Sequence, residues 1–168
     1  MTVREIVAGI RRGFGRPESA PPIAPRDDQA DLDEVFKRER RLGLRREGRL
    51  LKRYRVALGF APERHKERKG DGRTPECTCT IDARNPHRSF HLSLGVSYPY
   101  VDDRAHAAGL GVPPGGDICT HGLPNGWRKF ATPHPHRDWT TGCIAVTDVE
   151  IRELWSLVST DAKVVIHP

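Results

Sequence analysis

Hydrophobic and polar residues alternate over several short segments, a pattern that predicts strands for most of the chain. Between residues 50 and 58, the apolar side chains of Tyr54, Val56 and Leu58 occupy every second position, which is typical of a half-buried strand. A shorter apolar run precedes this segment, and the two are separated by Glu47-Gly48, which favours a tight turn. We therefore predict a β-hairpin in this part of the chain.

Compact apolar runs recur after this hairpin, separated by loops rich in Gly and Pro. We expect them to form further strands, at residues 77–81, 90–96, 117–120, 144–146 and 163–167. The connection 98–114 is longer and has room for a short helix around residues 104–109.

One segment has a clear helical period. Thr147 and Glu150 have the spacing of a capping box. The apolar residues that follow recur at i, i+3, i+4 and i+7, which indicates a helix over about residues 147–158. Many short strands with one clear helix predict a mostly β fold, either a sandwich or an open barrel.

The first 29 residues differ in composition from the rest of the chain. They are rich in Gly and Pro and have little apolar surface to bury, so we expect residues 1–29 to form a flexible, disordered tail. Residues 30–168 would then form a single domain. The chain has no apolar run of about 18 residues, so no membrane span is expected, and no signal peptide is visible at the N-terminus.

The formal net charge is +6 and the pI is about 9.5, which favours an acidic polymer as partner. Residues 37–55 hold ten Lys or Arg residues and only two Glu residues. No nucleic-acid reading module is recognisable, so nucleic acid is not expected as a partner. We expect these charges to cover a solvated face of the hairpin or to contact an anionic cell-wall polymer.

Two positions carry chemistry that fits together. Cys143 follows Gly142 directly and precedes a β-branched apolar run, while His121 ends a strand-like run and precedes Gly122. A single cysteine in an apolar strand is more often an inert buried thiol. Paired with an imidazole at a second strand end, however, it has both parts that cysteine acyl transfer requires: a nucleophile and a base.

A long loop, residues 123–139, joins these two positions. It contains Trp127, Trp139 and several Pro residues, and long loops inside compact domains are often functional lids. Carboxylates would be attracted to its basic residues, which are Arg128, Lys129 and Arg137.

The cysteine count leaves a zinc site as an alternative. The pairs that could supply ligands are Cys77 with Cys79, Cys119 with His121, and His134 with His136, but none has the spacing of a standard structural site, so no metal is expected. A bridge between Cys77 and Cys79 would be strained at this spacing. Three thiols besides Cys143 would fit a reducing compartment.

Taken together, these motifs resemble the L,D-transpeptidase catalytic domain family, also called YkuD-like, over about residues 33–168. The resemblance is carried by five segments, namely 54–59, 70–76, 90–94, His121-Gly122 and 140–143, followed by the helix that begins near Thr147. The family's fold is a β-sandwich with a Cys/His active site. The resemblance therefore implies an enzyme that needs no cofactor.

The resemblance also implies the roles of the site residues. Cys143 would be the nucleophile and His121 the base, with the imidazole oriented by a backbone carbonyl. Gly122, Thr140 and Thr141 would shape the site, and the backbone N–H groups of Gly142 and Cys143 would stabilise the oxyanion. The implied substrate is a peptidoglycan stem tetrapeptide, attacked at the L-centre of diaminopimelate with release of D-Ala. Carbapenem-type inhibitors are further candidate ligands, and a periplasmic or cell-envelope location is expected.

The chain departs from the usual family pattern at two positions. Thr141 stands where a histidine is usual, and Ala145 where an arginine is usual, as in an arginine-lacking subgroup with the sequence GCIAVT. The substrate carboxylate must then bind elsewhere. Arg137 is the nearest candidate and Arg73 the second, with Trp139 and Trp127 as further substrate contacts.

Two alternatives to transpeptidation stay open. The same site would serve an L,D-carboxypeptidase or amidase-type peptidoglycan hydrolase, since only the second nucleophile differs. A wall-binding module with a decayed site is the non-enzymatic alternative, and the intact Cys143 and His121 argue against it.

Overall fold

The computed structural model describes residues 19–88, 90–125 and 134–168. These residues form eight strands and two α-helices, preceded by a short 3-10 helix at Arg26–Asp28. The elements in chain order are β1 (Ala30–Phe36), β2 (Arg41–Arg46), β3 (Arg49–Arg55), β4 (Cys77–Arg88), β5 (His91–Val96), α1 (Val101–Gly109), β6 (Cys119–His121), β7 (Ile144–Ala145), α2 (Asp148–Leu157) and β8 (Val158–His167).

The strands form one sheet in the order β3-β2-β1-β8-β4-β5-β6-β7. Its two ends approach each other, because the extended segment after β3 pairs with β7. Ala57 and Ala145 exchange two backbone hydrogen bonds there, with N···O distances of 3.0 and 2.8 Å. The sheet is therefore curled, and the predicted mostly β, open-barrel class is confirmed.

The local sequence signals are found where they were predicted. Glu47 and Gly48 both have positive φ, 49° and 79°, as a tight hairpin turn between β2 and β3 requires. Thr147 caps α2: its hydroxyl accepts from the Glu150 N–H, while the Glu150 carboxylate accepts from the Thr147 N–H at 2.8 Å. The short helix expected at 104–109 is α1, which begins at Val101.

Helix α2 is buried from Ile151 to Leu157 and packs against β5 and β6. Its apolar side chains join those of the sheet in a single core, with Ile151, Leu154 and Leu157 fully buried. The guanidinium of Arg84 covers the C-terminal end of α2, where it donates to the carbonyls of Trp155 and Val158 and lies over the Trp155 ring. The N-terminus of α2, at the opposite end, follows β7 in the sequence.

Part of the predicted tail contacts the domain. Ala24 is buried, and its N–H donates to the Ser156 carbonyl at 2.9 Å. The Ser156 hydroxyl donates in turn to the Pro22 carbonyl. Residues 19–29 therefore differ from the expected free tail, because one backbone hydrogen bond and one from the Ser156 hydroxyl hold this segment against α2. Residues 1–18 lie outside the described residues.

The bonding state of the cysteines differs from the prediction. Cys77 and Cys79, at the start of β4, form a disulfide with a Cα–Cα distance of 5.6 Å, which lies within the range that disulfides tolerate. The sequence analysis expected strain in such a bridge and counted Cys77 and Cys79 as thiols, whereas the structure has them joined. Two thiols, Cys119 and Cys143, remain instead of four.

Neither α1 nor α2 has the length and apolar character of a membrane span, and the same holds for every helix in the part of the chain that the structure describes.

Candidate active site

Two neighbouring strands bring Cys143 and His121 to the same edge of the sheet. β6 and β7 are parallel, with Thr120 opposite Ile144 and His121 opposite Ala145. His121 is the last residue of β6, and Cys143 immediately precedes β7. The pairing of β6 with β7 therefore brings together two side chains that are 22 positions apart in the sequence.

The turn that carries Cys143 is held by the Thr140 hydroxyl. This group accepts from the Gly142 N–H at 3.1 Å and donates to the Cys143 carbonyl at 2.7 Å. The Thr140 carbonyl accepts from the Phe60 N–H at 2.9 Å, which ties the turn to the segment after β3. The Gly142 N–H, which was expected to be an oxyanion donor, is therefore bonded within the turn in this structure.

Gly142 is required at its position for two reasons. Its φ is 141°, a region that residues with a side chain rarely adopt, and a Cβ there would lie 2.7 Å from the Arg73 carbonyl oxygen. The loop 70–75 therefore packs directly against the residue that precedes Cys143. Asp71 orders this loop by accepting from Lys66 Nζ at 2.7 Å and from the backbone N–H groups of Glu67, Arg68 and Arg73. Burial alone would raise the pKa of Asp71, but these hydrogen bonds prevail and lower it to about 2.

The imidazole of His121 is fixed by the backbone and by two aromatic rings. Its Nδ1 lies 2.6 Å from the Gly122 carbonyl oxygen. The ring of Phe90 is tilted against it at a centroid distance of 4.5 Å, and that of Trp139 meets it edge-on at 5.8 Å. Gly122 must be glycine because a Cβ would approach an Asp148 carboxylate oxygen to 2.7 Å. A carbonyl oxygen only accepts, so Nδ1 carries the proton and Nε2 is the nitrogen available as a base.

The Cys143 thiol is partly exposed and surrounded by polar groups. Its Sγ lies 3.7 Å from Cys119 Sγ and 3.4 Å from the Asp117 carbonyl oxygen. Hydrogen bonding from the Cys119 thiol is the largest influence on its pKa, and His121 acts in the same direction. Together they outweigh burial and hold the pKa of Cys143 well below that of an ordinary thiol. The site therefore favours the thiolate, the form that attacks carbonyl groups.

Two cavities meet at Cys143. The smaller, of about 180 Å³, is lined by Phe90, His121 and Trp139 and reaches Thr140 and Thr141. The larger, of about 740 Å³, lies on the other side and is lined by three cations. These cations are Lys66, Lys69 and Arg104. Lys66 is buried and bonded to Asp71, whereas the other two are exposed.

The predicted substrate contacts divide into three groups. Trp139 lines the smaller cavity as expected. Arg73 and Arg137 line neither cavity: Arg73 donates to Glu67 Oε2 and to the His65 carbonyl, and Arg137 is exposed. Trp127, Arg128 and Lys129 lie outside the described residues. The sequence analysis missed Phe90, Lys69 and Arg104, since nothing in their local sequence indicates that they lie near Cys143.

The proposed zinc ligands are not brought together. Cys77 and Cys79 are joined to each other, so their sulfurs are unavailable as thiolates. In residues 19–88, 90–125 and 134–168, no cluster of three or more His, Cys, Asp or Glu side chains is arranged to hold a metal ion.

Comparison with solved structures shows where this fold occurs. The helical cell shape determining protein Pgp2 from Campylobacter jejuni superposes with a TM-score of 0.63 at 18% identity, over 99% of this chain and 55% of that one. An L,D-transpeptidase from Xylanimonas cellulosilytica gives 0.55 at 15% identity, over 86% and 63%. The L,D-transpeptidase LdtMt1 in complex with imipenem gives 0.51 at 12%, over 81% and 58%. The chain thus spans little more than half of each of these proteins.

The sequence matches no curated protein at a significant level. The family model described as the L,D-transpeptidase catalytic domain, YkuD, matches residues 34–166. This match covers β2 to β7 in full, most of β8 and part of β1, together with Cys143 and His121. The chain belongs to the L,D-transpeptidase catalytic domain family.

Proposed function

We propose that the protein catalyses acyl transfer on peptidoglycan stem peptides, with Cys143 as nucleophile and His121 as base. The observation that carries this proposal is the geometry of the pair: a thiol of lowered pKa stands at the junction of two cavities, beside an imidazole whose Nδ1–H is bound to the Gly122 carbonyl. Membership of the family supports the same reaction. An envelope location follows from the substrate.

In the first half-reaction His121 takes the thiol proton of Cys143, and the thiolate attacks the carbonyl carbon at the L-centre of diaminopimelate in the tetrapeptide. The Cys143 N–H donates to the resulting oxyanion. When the tetrahedral intermediate collapses, the bond to the D-Ala nitrogen breaks and His121 delivers a proton to that nitrogen. D-Ala leaves, and the stem peptide is held on Cys143 as a thioester.

In the second half-reaction an acceptor attacks the thioester carbonyl. An amine of a neighbouring stem gives a new amide bond and a crosslink, whereas water gives a carboxylate. His121 takes the proton of the acceptor in either case, and the thiolate is regenerated. The two outcomes differ only in the acceptor that reaches the thioester, so one set of residues serves transfer and hydrolysis.

The substrate carboxylate requires a cationic partner, because burying an unpaired charge is costly. Arg137 and Arg73 were expected to supply it, but the cavity beside Cys143 is lined by Lys69 and Arg104 instead. We therefore assign carboxylate binding to these two residues. Trp139, with Phe90, would pack against the apolar part of the peptide in the smaller cavity.

Release of D-Ala from a purified muropeptide tetrapeptide tests this function directly. The wild-type chain should release D-Ala, and Cys143→Ala should release none, because a methyl group cannot attack a carbonyl. Cys119→Ala keeps the nucleophile and should still release D-Ala, although more slowly near neutral pH, because it lacks the hydrogen bond that lowers the pKa of Cys143. Release of D-Ala by Cys143→Ala would exclude the proposed role of Cys143.

A further inference from the structure

Two thiols lie side by side in the site, and only one of them takes part in the proposed reaction. Cys119 Sγ is 3.7 Å from Cys143 Sγ. The contact follows from the sheet. Thr120 pairs with Ile144, and Cys119 and Cys143 are the residues directly before these two positions. Of the four cysteines of the chain, these two alone are outside the Cys77–Cys79 disulfide.

The backbone geometry suits a bond between them. Neighbouring strands lie about 4.8 Å apart, within the range of about 4.4–6.8 Å between the Cα atoms of disulfide-linked residues. An S–S bond of about 2.05 Å requires the two sulfurs to approach by less than 2 Å, a distance that side-chain rotation can supply. The strands themselves need not move.

The two sulfurs differ in accessibility, and this difference determines which of them is oxidised first. Cys143 is partly exposed and borders both cavities, so a small oxidant can reach it. Cys119 also lines the smaller cavity but is only 6% exposed, so it is the less accessible of the two sulfurs. Cys143 is therefore the sulfur that reacts first, and Cys119 is the sulfur placed to react with the product.

We propose that Cys119 and Cys143 are a reversible oxidation site, in which Cys119 traps oxidised Cys143 as a disulfide. With hydrogen peroxide as oxidant, the Cys143 thiolate takes one peroxide oxygen, the O–O bond breaks, and a sulfenic acid and hydroxide form. The Cys119 sulfur then attacks the Cys143 sulfur; the S–S bond forms, the S–O bond breaks, and water leaves with the Cys119 proton. Peroxide is reduced by two electrons, and the two thiols are oxidised by two.

The disulfide would have two effects on the protein. It removes the thiolate from the site, a consequence for activity that rests on the proposed function. It also blocks further oxidation of Cys143 to the sulfinic acid, which reductants such as dithiothreitol do not reverse. A dithiol reductant would restore both thiols.

Peptide mass spectrometry tests the proposal without reference to activity. Trypsin places Cys119 in the peptide 105–128, Cys143 in 138–152 and the Cys77–Cys79 pair in 74–84, so the three groups separate. The intact chain is treated with peroxide, its remaining thiols are alkylated with iodoacetamide, and it is then digested. We expect 105–128 and 138–152 as one cross-linked species, lighter by two hydrogens than the sum of the two peptides, and separated again by dithiothreitol.

Cys119→Ala is the matched variant. It lacks the trapping thiol, so its peptide 138–152 should gain two oxygens and should not be restored by dithiothreitol. The proposal is overturned if peroxide-treated wild type carries a sulfinic acid at Cys143 while Cys119 is alkylated, or if both thiols are alkylated as in untreated protein. D-Ala release before oxidation, measured on the same samples, tests the proposed function separately.

Discussion

His121 Nδ1 lies 2.6 Å from the carbonyl oxygen of Gly122, and this hydrogen bond determines which nitrogen of the imidazole can act as a base. The carbonyl can accept only from an N–H, so the proton resides on Nδ1. The lone pair on Nε2 is then available for the thiol proton. In other Cys/His sites a carboxylate or amide orients the imidazole; here the residue that follows His121 does so with its main chain.

His121→Ala should lower kcat for D-Ala release by at least about 100-fold, the usual scale of general acid–base catalysis. The exposed His136 belongs to the same connection between the catalytic strands and lines neither cavity, so His136→Ala is the matched control and should retain wild-type activity. Both variants are to be compared by circular dichroism. A folded His121→Ala protein with near wild-type kcat would refute the role of His121 as base.

Cys119 should influence the reactivity of Cys143 through its S–H group. Because hydrogen bonding from Cys119 lowers the pKa of Cys143, the pH midpoint for iodoacetamide labelling of Cys143 in wild type should lie below that of an ordinary thiol. In Cys119→Ala the midpoint should move to higher pH, and in Cys119→Ser, whose hydroxyl still donates, it should move less. Equal midpoints in all three proteins would show that Cys119 does not act on the thiolate.

Lys69 and Arg104 should each contribute to binding of the substrate carboxylate. A hydrogen bond to a charged group contributes about 1.5 kcal/mol or more, so Lys69→Ala and Arg104→Ala should each lower kcat/KM by about tenfold. Arg53 is exposed on β3 and lines neither cavity, so Arg53→Ala should leave kcat/KM unchanged. Labelling of Cys143 by an uncharged alkylating agent should be unaffected throughout. If Arg73→Ala or Arg137→Ala lowers kcat/KM while Lys69→Ala and Arg104→Ala leave it unchanged, the assignment of carboxylate binding to Lys69 and Arg104 is wrong.

Asp33 should make stability depend on pH. Its carboxylate is 1% exposed, neither oxygen has a hydrogen-bond partner among the described residues, and burial raises its pKa from 3.8 to about 7. The raised pKa means that the stability conferred by the neutral form is complete below pH 3.8 and is lost as pH rises through about 7.

Asp33→Asn stays neutral, so its unfolding free energy should exceed that of wild type increasingly from pH 4 to 7. The excess should level off above pH 7 at a value on the order of 4 kcal/mol. Asp27→Asn, at a fully exposed carboxylate, is the control and should show no such trend. Denaturant unfolding at several pH values measures the difference. A constant difference between Asp33→Asn and wild type would contradict a buried carboxylate of raised pKa.

Features that depend only on residues close together in the sequence were predictable. The capping box of Thr147 and Glu150 and the turn at Glu47-Gly48 depend only on local geometry, and both are present. The mostly β class followed from the period-two pattern, because that pattern does not depend on which strands pair with each other. The proposed nucleophile and base were suggested by their motifs, which lie at the ends of two predicted strands.

Features that depend on strand pairing were not predictable. Cys119 approaches Cys143 only because β6 and β7 are parallel neighbours in a particular register. Lys69 and Arg104 meet beside Cys143 because the loop after β3 and helix α1 converge on the same cavity. The hydrogen bond from the Gly142 N–H to the Thr140 hydroxyl was not predictable either, because it depends on the conformation of a turn. Each of these contacts follows from tertiary geometry rather than from local sequence.

The central claim is that Cys143 forms a covalent acyl intermediate, and trapping with a carbapenem tests it most directly. The β-lactam carbonyl should be attacked by the Cys143 thiolate, opening the ring and leaving a stable thioester. Mass spectrometry of the intact chain should show one added inhibitor, and peptide mapping should locate it in residues 138–152. Cys143→Ala should show no adduct, and Cys119→Ala should keep it. An unmodified wild-type chain, or an adduct on the peptide 105–128 that carries Cys119, would contradict the account.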